Sequence, residues 1–439
     1  MSKKRLLLSM LSALLVLVLA ACAASGPATT TPDAGAGAPA DAGDSGAAAS
    51  DLEPVRIGAI YALTGDVAAI GQNIRRGIEF AVDEVNSLGG VNGRPIEIIW
   101  GDSEGDPRIG MAAAERLITQ DNVVALIGAH QSAVTEVVSQ VAERHGVPMI
   151  TAISTADALT TRGYQYFFRM APTNSIFLRS MVQYLVDLDR YTDANINTVS
   201  IIAENTLLGQ ETSLWGRFWA EYYGFEVLAD VLYPRATPDL TSEVLTIRQA
   251  NADALLVDSY ISDGILLTRT MVEQGFTPGV FVGKATAFID PTFIPNTGPI
   301  SNGISTAVEW NPDTDRGQDI NAAFYERFGV NMNGHTAQVY TAIWVLRTAM
   351  EEAEAIERSA IRDALANIRI EGQFPNGGPA LILPYDVLTF EDVEWRGVQH
   401  TNTNANAVVT VAQVQDGVLR TVWPFEYTDL APIYPAPFS

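Results

Sequence analysis

A two-lobed α/β fold, each lobe built on a mostly parallel sheet with helices on both faces, is what this sequence predicts. Three observations carry that prediction. Short β-rich runs alternate with helical periods from Val55 onward, and the alternation restarts once, after "FFRMAPTNS". The foldable part is also about 380 residues long, enough for two domains at roughly 100–200 residues each.

The first run, "VRIGAIY", is rich in β-branched residues and reads as a buried strand. "GQNIRRGIEFAVDEVNSLGG" follows as a helix, with Ile74, Ile78, Ala81, Val82 and Val85 on one face and Gly89-Gly90 as its stop. Next come "IEIIW", the helix "IGMAAAERLITQD", "VVALIG", the helix "SAVTEVVSQVAERHG" and "VPMIT". Such βα alternation implies parallel strands with crossover helices. The second unit repeats it: "VSIIAE", the helix "ETSLWGRFWAEYYG", "FEVLADVLY", the helix "DLTSEVLTIRQAN", "ADALLVD", the helix "GILLTRTMVEQG" and "VFVGK". Two units of similar length predict two related sheets rather than one long one. The tail departs from this, with the helices "HTAQVYTAIWVLRTAMEEA" and "SAIRDALANI" and a terminal hairpin turning at Asp416-Gly417.

Everything before the first strand reads as delivery and tether. Lys3, Lys4 and Arg5 precede "LLLSMLSALLVLVLAA", the layout of an export signal over residues 1–21. Leu19-Ala20-Ala21-Cys22 resembles the bacterial lipobox, in which cleavage leaves a lipidated cysteine; an ordinary secretory signal with an incidental cysteine is the alternative. Cys22 is the only cysteine, so no disulfide within the chain is expected. Residues 22–53 are mostly Ala, Gly, Pro, Ser, Thr and Asp with almost no large apolar side chain, which cannot offset the entropy of ordering and reads as a lipid-anchored leash. No later run approaches the ~18 apolar residues of a membrane span. Losing a leader with three cations and no acid takes the formal charge from −24 to −27. A charge of that sign argues against nucleic acid as a partner and against electrostatic adhesion to anionic lipid. Past the leader every cation is arginine except Lys284.

No catalytic set assembles. The four histidines, His130, His145, His335 and His400, are far apart in sequence and in no metal-ligand spacing. There is no G-x-S-x-G elbow and no phosphate loop, and "SLGGVNG" follows a helix rather than a strand. The expectation is a protein that is not an enzyme and carries no cofactor or metal. Strand ends say more, because ligands in open α/β sheets bind outside the carboxyl ends of the strands, where helix N-termini offer free N–H groups. "LIGAHQSAVTE" leaves a strand and starts a helix at Ser132; "MITAISTADALT" places Ser154 and Thr155 at a second expected helix start. Their hydroxyls fit two roles, a converging carboxylate site or simple N-caps contributing about 1 kcal/mol each.

The run "RIGAIYALTGDVAAIGQNIRRGIEFAVDEVNSLGGVNGRPIEIIWGDSEGDP" resembles the opening of the type I periplasmic binding proteins of the leucine/isoleucine/valine-binding kind. The likeness continues through "ALIGAHQSAVTEVVSQVAERHGVPMITAISTADALTTRGYQYFFRMAPTNS" and "DALLVDSYISDGILLTRTMVEQGF" to "VAQVQDGVLRTVWP", essentially everything after the leash. The resemblance implies two Rossmann-like lobes joined by three crossovers, near Ala171–Asn174, near Val308–Pro312 and within 370–390. It places 54–172 plus 310–377 in the N-lobe and 173–309 plus 378–439 in the C-lobe. It implies an extracytoplasmic receptor that closes on a small carboxylate-bearing ligand, such as a branched-chain or other amino acid, and delivers it to the membrane permease of an ABC importer. Ser132 and the Ser154–Thr155 segment would hold the ligand carboxylate, and Tyr260 would contribute from the C-lobe.

Two positions depart from the family pattern. The acid that meets a ligand ammonium falls at Ala285, and a tyrosine expected in "AENTLLGQ" is Leu208. Asp258, at the end of its strand, is the substitute acid, or else a solvated loop carboxylate. Lys284 either faces the cleft, favouring a second anionic group on the ligand, or faces solvent. An organic acid or amide lacking an amine, taken up or sensed, therefore stands beside the amino-acid expectation, and an enzyme on the same scaffold stands behind both.

Overall fold

A computed structural model describes residues 52–437; the leader, Cys22 and nearly all of the leash lie outside them. The chain opens with β1 (Val55–Tyr61), α1 (Ala68–Ser87), β2 (Ile96–Asp102), α2 (Pro107–Thr119), β3 (Ala125–Gly128), α3 (Ser132–His145), β4 (Met149–Thr151) and β5 (Phe167–Arg169). The face of α1 read from the sequence is the one it buries, Ile74, Ile78, Ala81, Val82 and Val85 among them. The second unit runs α4 (Asn174–Thr192), β6 (Thr198–Glu204), α5 (Leu207–Tyr223), β7 (Glu226–Tyr233), α6 (Thr241–Ala250), β8 (Ala254–Asp258), α7 (Ile261–Glu273) and β9 (Val280–Lys284). Two short helices, α8 (Ala285–Phe288) and α9 (Phe293–Thr297), lead to β10 (Ser305–Val308).

Three helices then return to the first lobe: α10 (Gln318–Phe328), α11 (Gly334–Glu352) and α12 (Arg358–Asn367). Phe324 of α10 meets Phe80 of α1 edge-on at 5.5 Å, and Arg358 of α12 donates to the carbonyls of Ile118 and Val123. Gly334 through Met350 of α11 are buried on every side, as befits a helix enclosed by its neighbours. The strands that follow are β11 (Arg369–Glu371), β12 (Val387–Thr389), β13 (Glu391–Trp395), β14 (Val398–Thr403), β15 (Thr410–Gln415) and β16 (Val418–Trp423). Among the described residues no helix is long and apolar enough to cross a membrane.

The strands form two seven-stranded sheets, β13-β14-β5-β4-β3-β1-β2 and β16-β15-β10-β9-β8-β6-β7, with β11 and β12 apart as a pair. The two orders match over their five parallel strands, while the edge hairpins differ, β14 joining β5 in parallel and β15 joining β10 antiparallel. Each has a parallel core and an antiparallel hairpin at one edge, and the β15–β16 hairpin turns at Asp416-Gly417, both at positive φ, as the sequence predicts.

Two expectations need correction. Residues 391–403 belong to the first sheet, although 378–439 was assigned wholly to the C-lobe. Thr403 pairs with Arg169 of β5, whose buried guanidinium lies 3.4 Å from the Thr403 hydroxyl, and Asn404 N–H donates to the Arg169 carbonyl at 2.9 Å. Those contacts draw β14 into the N-lobe, so the third crossover is residues 404–409 and not a segment within 370–390. Nor does a long helix follow Thr155. A single 3₁₀ turn, Asp157–Thr160, takes its place, with the N–H groups of Asp157 and Ala158 at its start bonded to Glu211 of α5 at 2.6 and 3.0 Å.

The matching lobes share one packing device. Gly71 of α1 lies so close to the end of β1 that a Cβ there would sit 1.7 Å from the Ala62 carbonyl oxygen, and Gly209 of α5 stands in the same relation to Glu204 at the end of β6. Neither contact is with a side chain that can swing aside. Gly209→Ala is therefore expected to destabilise the protein by about 2–3 kcal/mol, at the upper end for overpacking, measured as a lowered urea midpoint. An unchanged midpoint would mean that α5 does not need this approach.

Candidate functional site

The two sets of strand ends meet across a cleft that encloses a cavity of ≈ 20 Å³, lined by His130, Ile153, Thr155, Phe177, Leu208, Lys284, Glu309 and His335. That is room for little more than a water, so the two walls must part to admit anything larger. His130, Ile153 and Thr155 follow β3 and β4 of the first sheet. Lys284 ends β9, Glu309 is the residue after β10, and Leu208 is the second residue of α5, beyond β6.

On the N-lobe side the three hydroxyls read from the sequence behave differently. Ser132 is the first residue of α3 and not its cap; that position is Gln131, which makes no side-chain capping bond. Ser132 Oγ instead accepts from Ala156 N–H at 3.4 Å. Ser154 Oγ sits 2.9 Å from the carbonyls of both Ala129 and His130 and 2.5 Å from Thr135 Oγ1, so its single hydrogen is committed to holding the two loops together. Thr155 Oγ1 is buried with no partner and lies on the cavity wall. The two cap roles considered from the sequence are thus absent.

On the C-lobe side the structure brings Asp258 and Lys284 together. Lys284 Nζ donates to Asp258 Oδ2 at 3.2 Å and to Asn174 Oδ1 at 2.5 Å, while Thr212 Oγ1 donates to the same Asp258 oxygen at 2.7 Å. Both charged groups are buried, at 2 % and 5 % exposure, so neither solvent-facing alternative holds. Lys284 faces the cavity, but as half of an ion pair. Asp258 is not free to serve as a separate counter-charge.

The neighbouring strand ends carry further acids. Glu204 ends β6 and accepts the Tyr260 N–H at 2.5 Å; burial, with Asp263 and Asp258 nearby, pushes its carboxyl up to about 9. Burial also pushes Glu309 up to about 7, against the pull of Lys284. Tyr260 caps α7, stands edge-on to His130 at 5.5 Å and lies under the Arg235 guanidinium at 5.3 Å. His130 and His335, distant in sequence, are in ring contact at 5.2 Å, and burial lowers both, His335 to about 4. Arg235 also spans the lobes, with Nη2 at 2.8 Å from each Asp66 oxygen, beside the Glu211 contacts to the Asp157–Thr160 turn.

Sequence reasoning missed Glu309, the two histidines, Phe177 and Ile153. A signal for Glu309 was present, since "STAVE" ends a strand on an acid just as "ALLVD" does.

A family profile described as periplasmic binding protein matches residues 54–417. The Leu/Ile/Val-binding protein homolog 7 of Brucella suis is 26% identical over 396 residues, covering 87% of this chain and 94% of that one. Among solved structures, the leucine binding protein LivK from Thermotoga maritima superposes with a TM-score of 0.69 at 21% identity, over 84% of this chain and 97% of that one. The branched-chain amino acid transporter substrate binding protein LivJ from Streptococcus pneumoniae, in complex with isoleucine, gives 0.67 at 19% identity, over 84% and 99%.

Because Lys284 neutralises Asp258 inside the protein, Lys284→Met should cost about 3–5 kcal/mol of stability by stranding a buried carboxylate. Adding Asp258→Leu should recover a large part of it, a coupling of about 2 kcal/mol or more in a denaturant double-mutant cycle. Additive losses would show that the two charges do not depend on each other.

Proposed function

We infer that this chain, which belongs to the periplasmic binding protein family, captures a small amino acid outside the cytoplasm and presents it to the permease of an ABC importer. The observation that carries this reading is the uncommitted Thr155 hydroxyl in a closed interlobe cavity beside the apolar walls of Ile153, Phe177 and Leu208. A hydroxyl donor suits a ligand carboxylate, and the apolar wall suits an aliphatic side chain. Relatives named Leu/Ile/Val-binding protein homologues, and similar folds solved with isoleucine or leucine, support the same ligand class.

The mechanism is closure. A ligand that touches both lobes favours the closed state over the open one by its differential contacts, and the population shifts accordingly. The permease would then read the closed arrangement. Cys22 would hold the receptor at the cell surface through a lipid, the long leash keeping the tether independent of the fold.

Calorimetry against L-leucine, L-isoleucine, L-valine, other amino acids, amides and small organic acids tests the ligand class; absence of binding by every amino acid overturns it. Thr155→Val should weaken binding of the tightest amino acid by about 10–100-fold, the effect of removing a hydrogen bond to a charged group. Its unfolding midpoint should stay put, since no protein partner is lost. For the tether, Cys22→Ala should move the protein from the membrane to the soluble fraction with affinity unchanged, and retention on salt-washed membranes would refute the lipid.

A further inference from the structure

Glu309 sits at the start of the second crossover, 1 % exposed, on the wall of the cleft cavity. Its Oε2 has no hydrogen-bond partner. That oxygen packs against the first residue of α11, where a Cβ in place of the Gly334 hydrogen would lie 2.7 Å away. A buried carboxyl with an unpartnered oxygen is costly unless a donor arrives. Among the described residues that line the cavity no cation is spare. Lys284 faces the same cavity but is held by Asp258 and Asn174, and His130 and His335 are kept neutral by burial.

We propose that Glu309 is the acid that receives the amine of the bound ligand, supplied from the end of β10 where the leucine/isoleucine/valine-binding pattern has its acid at the Ala285 position. The inference rests on the receptor reading and gives it a chemical choice, an amine-bearing ligand over an amine-free acid. Charge counting leads to the same place. Lys284 and Asp258 cancel within the protein, Thr155 offers a neutral hydroxyl to a carboxylate, and Glu309 is left to match one cation. The ligand would thus lie with its carboxylate toward Thr155 and its amine toward Glu309.

The protonation state of Glu309 then enters the binding equilibrium. Burial pushes the group up to about 7, so below that pH it is largely protonated in the unliganded protein and must lose its proton to hold an ammonium. Affinity for an amino acid should fall as pH drops through that value. The other titratable groups on its cavity are Lys284 and the two neutral histidines, and the buried Tyr385 hydroxyl lies within its electrostatic reach. Glu211, also pushed up to about 7, bridges the lobes elsewhere and would affect every ligand alike.

The test is calorimetry on the full chain, wild type and Glu309→Gln, with L-leucine, L-isoleucine and L-valine, each against the same acid lacking its amine. Wild type is expected to favour the amino acids by about 100-fold. Glu309→Gln should lose about 30-fold or more for them, hold its affinity for the amine-free acids, and show no fall in unfolding midpoint. From about pH 8 to about pH 6, wild-type affinity for the amino acids should fall about tenfold more than for the amine-free acids, and that difference should vanish in Glu309→Gln. Equal losses for both ligand sets, or no loss, would overturn the assignment. Wild type binding only the amine-free acids would overturn it and the amino-acid ligand class while leaving capture of a small carboxylate in place; binding neither set, nor any other amino acid or organic acid, would overturn both.

Discussion

One buried ion pair decides what the C-lobe can offer a ligand. Lys284, the only lysine past the leader, bonds Asp258 and Asn174, and so ties the ends of β8 and β9 to the first residue of α4, where the chain has just crossed between lobes. Two charges taken out of water are costly, and such a pair contributes little net stability compared with apolar residues of similar size. Its consequence is chemical. The pair closes the acid at the end of β8 on itself, and burial among other acids holds Glu204, at the end of β6, neutral. Glu309, one strand further along the sheet, has no such internal partner on its Oε2.

Closure relies on weaker links than that pair. Arg235 and Asp66 join the lobes at 25 % and 41 % side-chain exposure, a setting in which ion pairs contribute about 0–1 kcal/mol. Glu211 bonds two N–H groups across the cleft, but burial pushes its carboxyl up to about 7, so the bridge charges only against a desolvation penalty. Neither link alone would lock the clamp. A binding protein needs that balance, because a cleft sealed by its own contacts would leave nothing for the ligand to shift.

Both lobes were legible because their signals are local. The apolar stripe of α1, the β-branched run of β1 and the turn at Asp416-Gly417 each sit within one stretch of chain and took the form expected of them. The third crossover was not legible, because what draws β14 into the N-lobe is a set of contacts to Arg169, more than two hundred residues earlier in the chain. The same limit explains the site. Thr155 could be picked from its place after a strand, whereas the commitment of Ser154 to two carbonyls, the Lys284–Asp258 pair and the contact of His130 with His335 exist only once separate loops converge. A resemblance that located the missing acid at Ala285 could not say which neighbour stands in.

The matched strand orders explain how one architecture carries such different walls. Gly71 and Gly209 bring a helix against the end of the first parallel strand in each lobe, so corresponding strand ends are presented to the cleft in the same way. The backbone is repeated, and the residues at those ends are not. Around the cavity the first sheet supplies a histidine, an isoleucine and a threonine, while the second supplies an ion-paired lysine and an acid with one unpartnered oxygen. A cleft with neutral donors on one wall and a carboxylate on the other is polar along a single axis. On the proposed assignment that axis would give a bound amino acid a direction, carboxylate toward one lobe and amine toward the other, which a cleft with two equivalent walls could not impose.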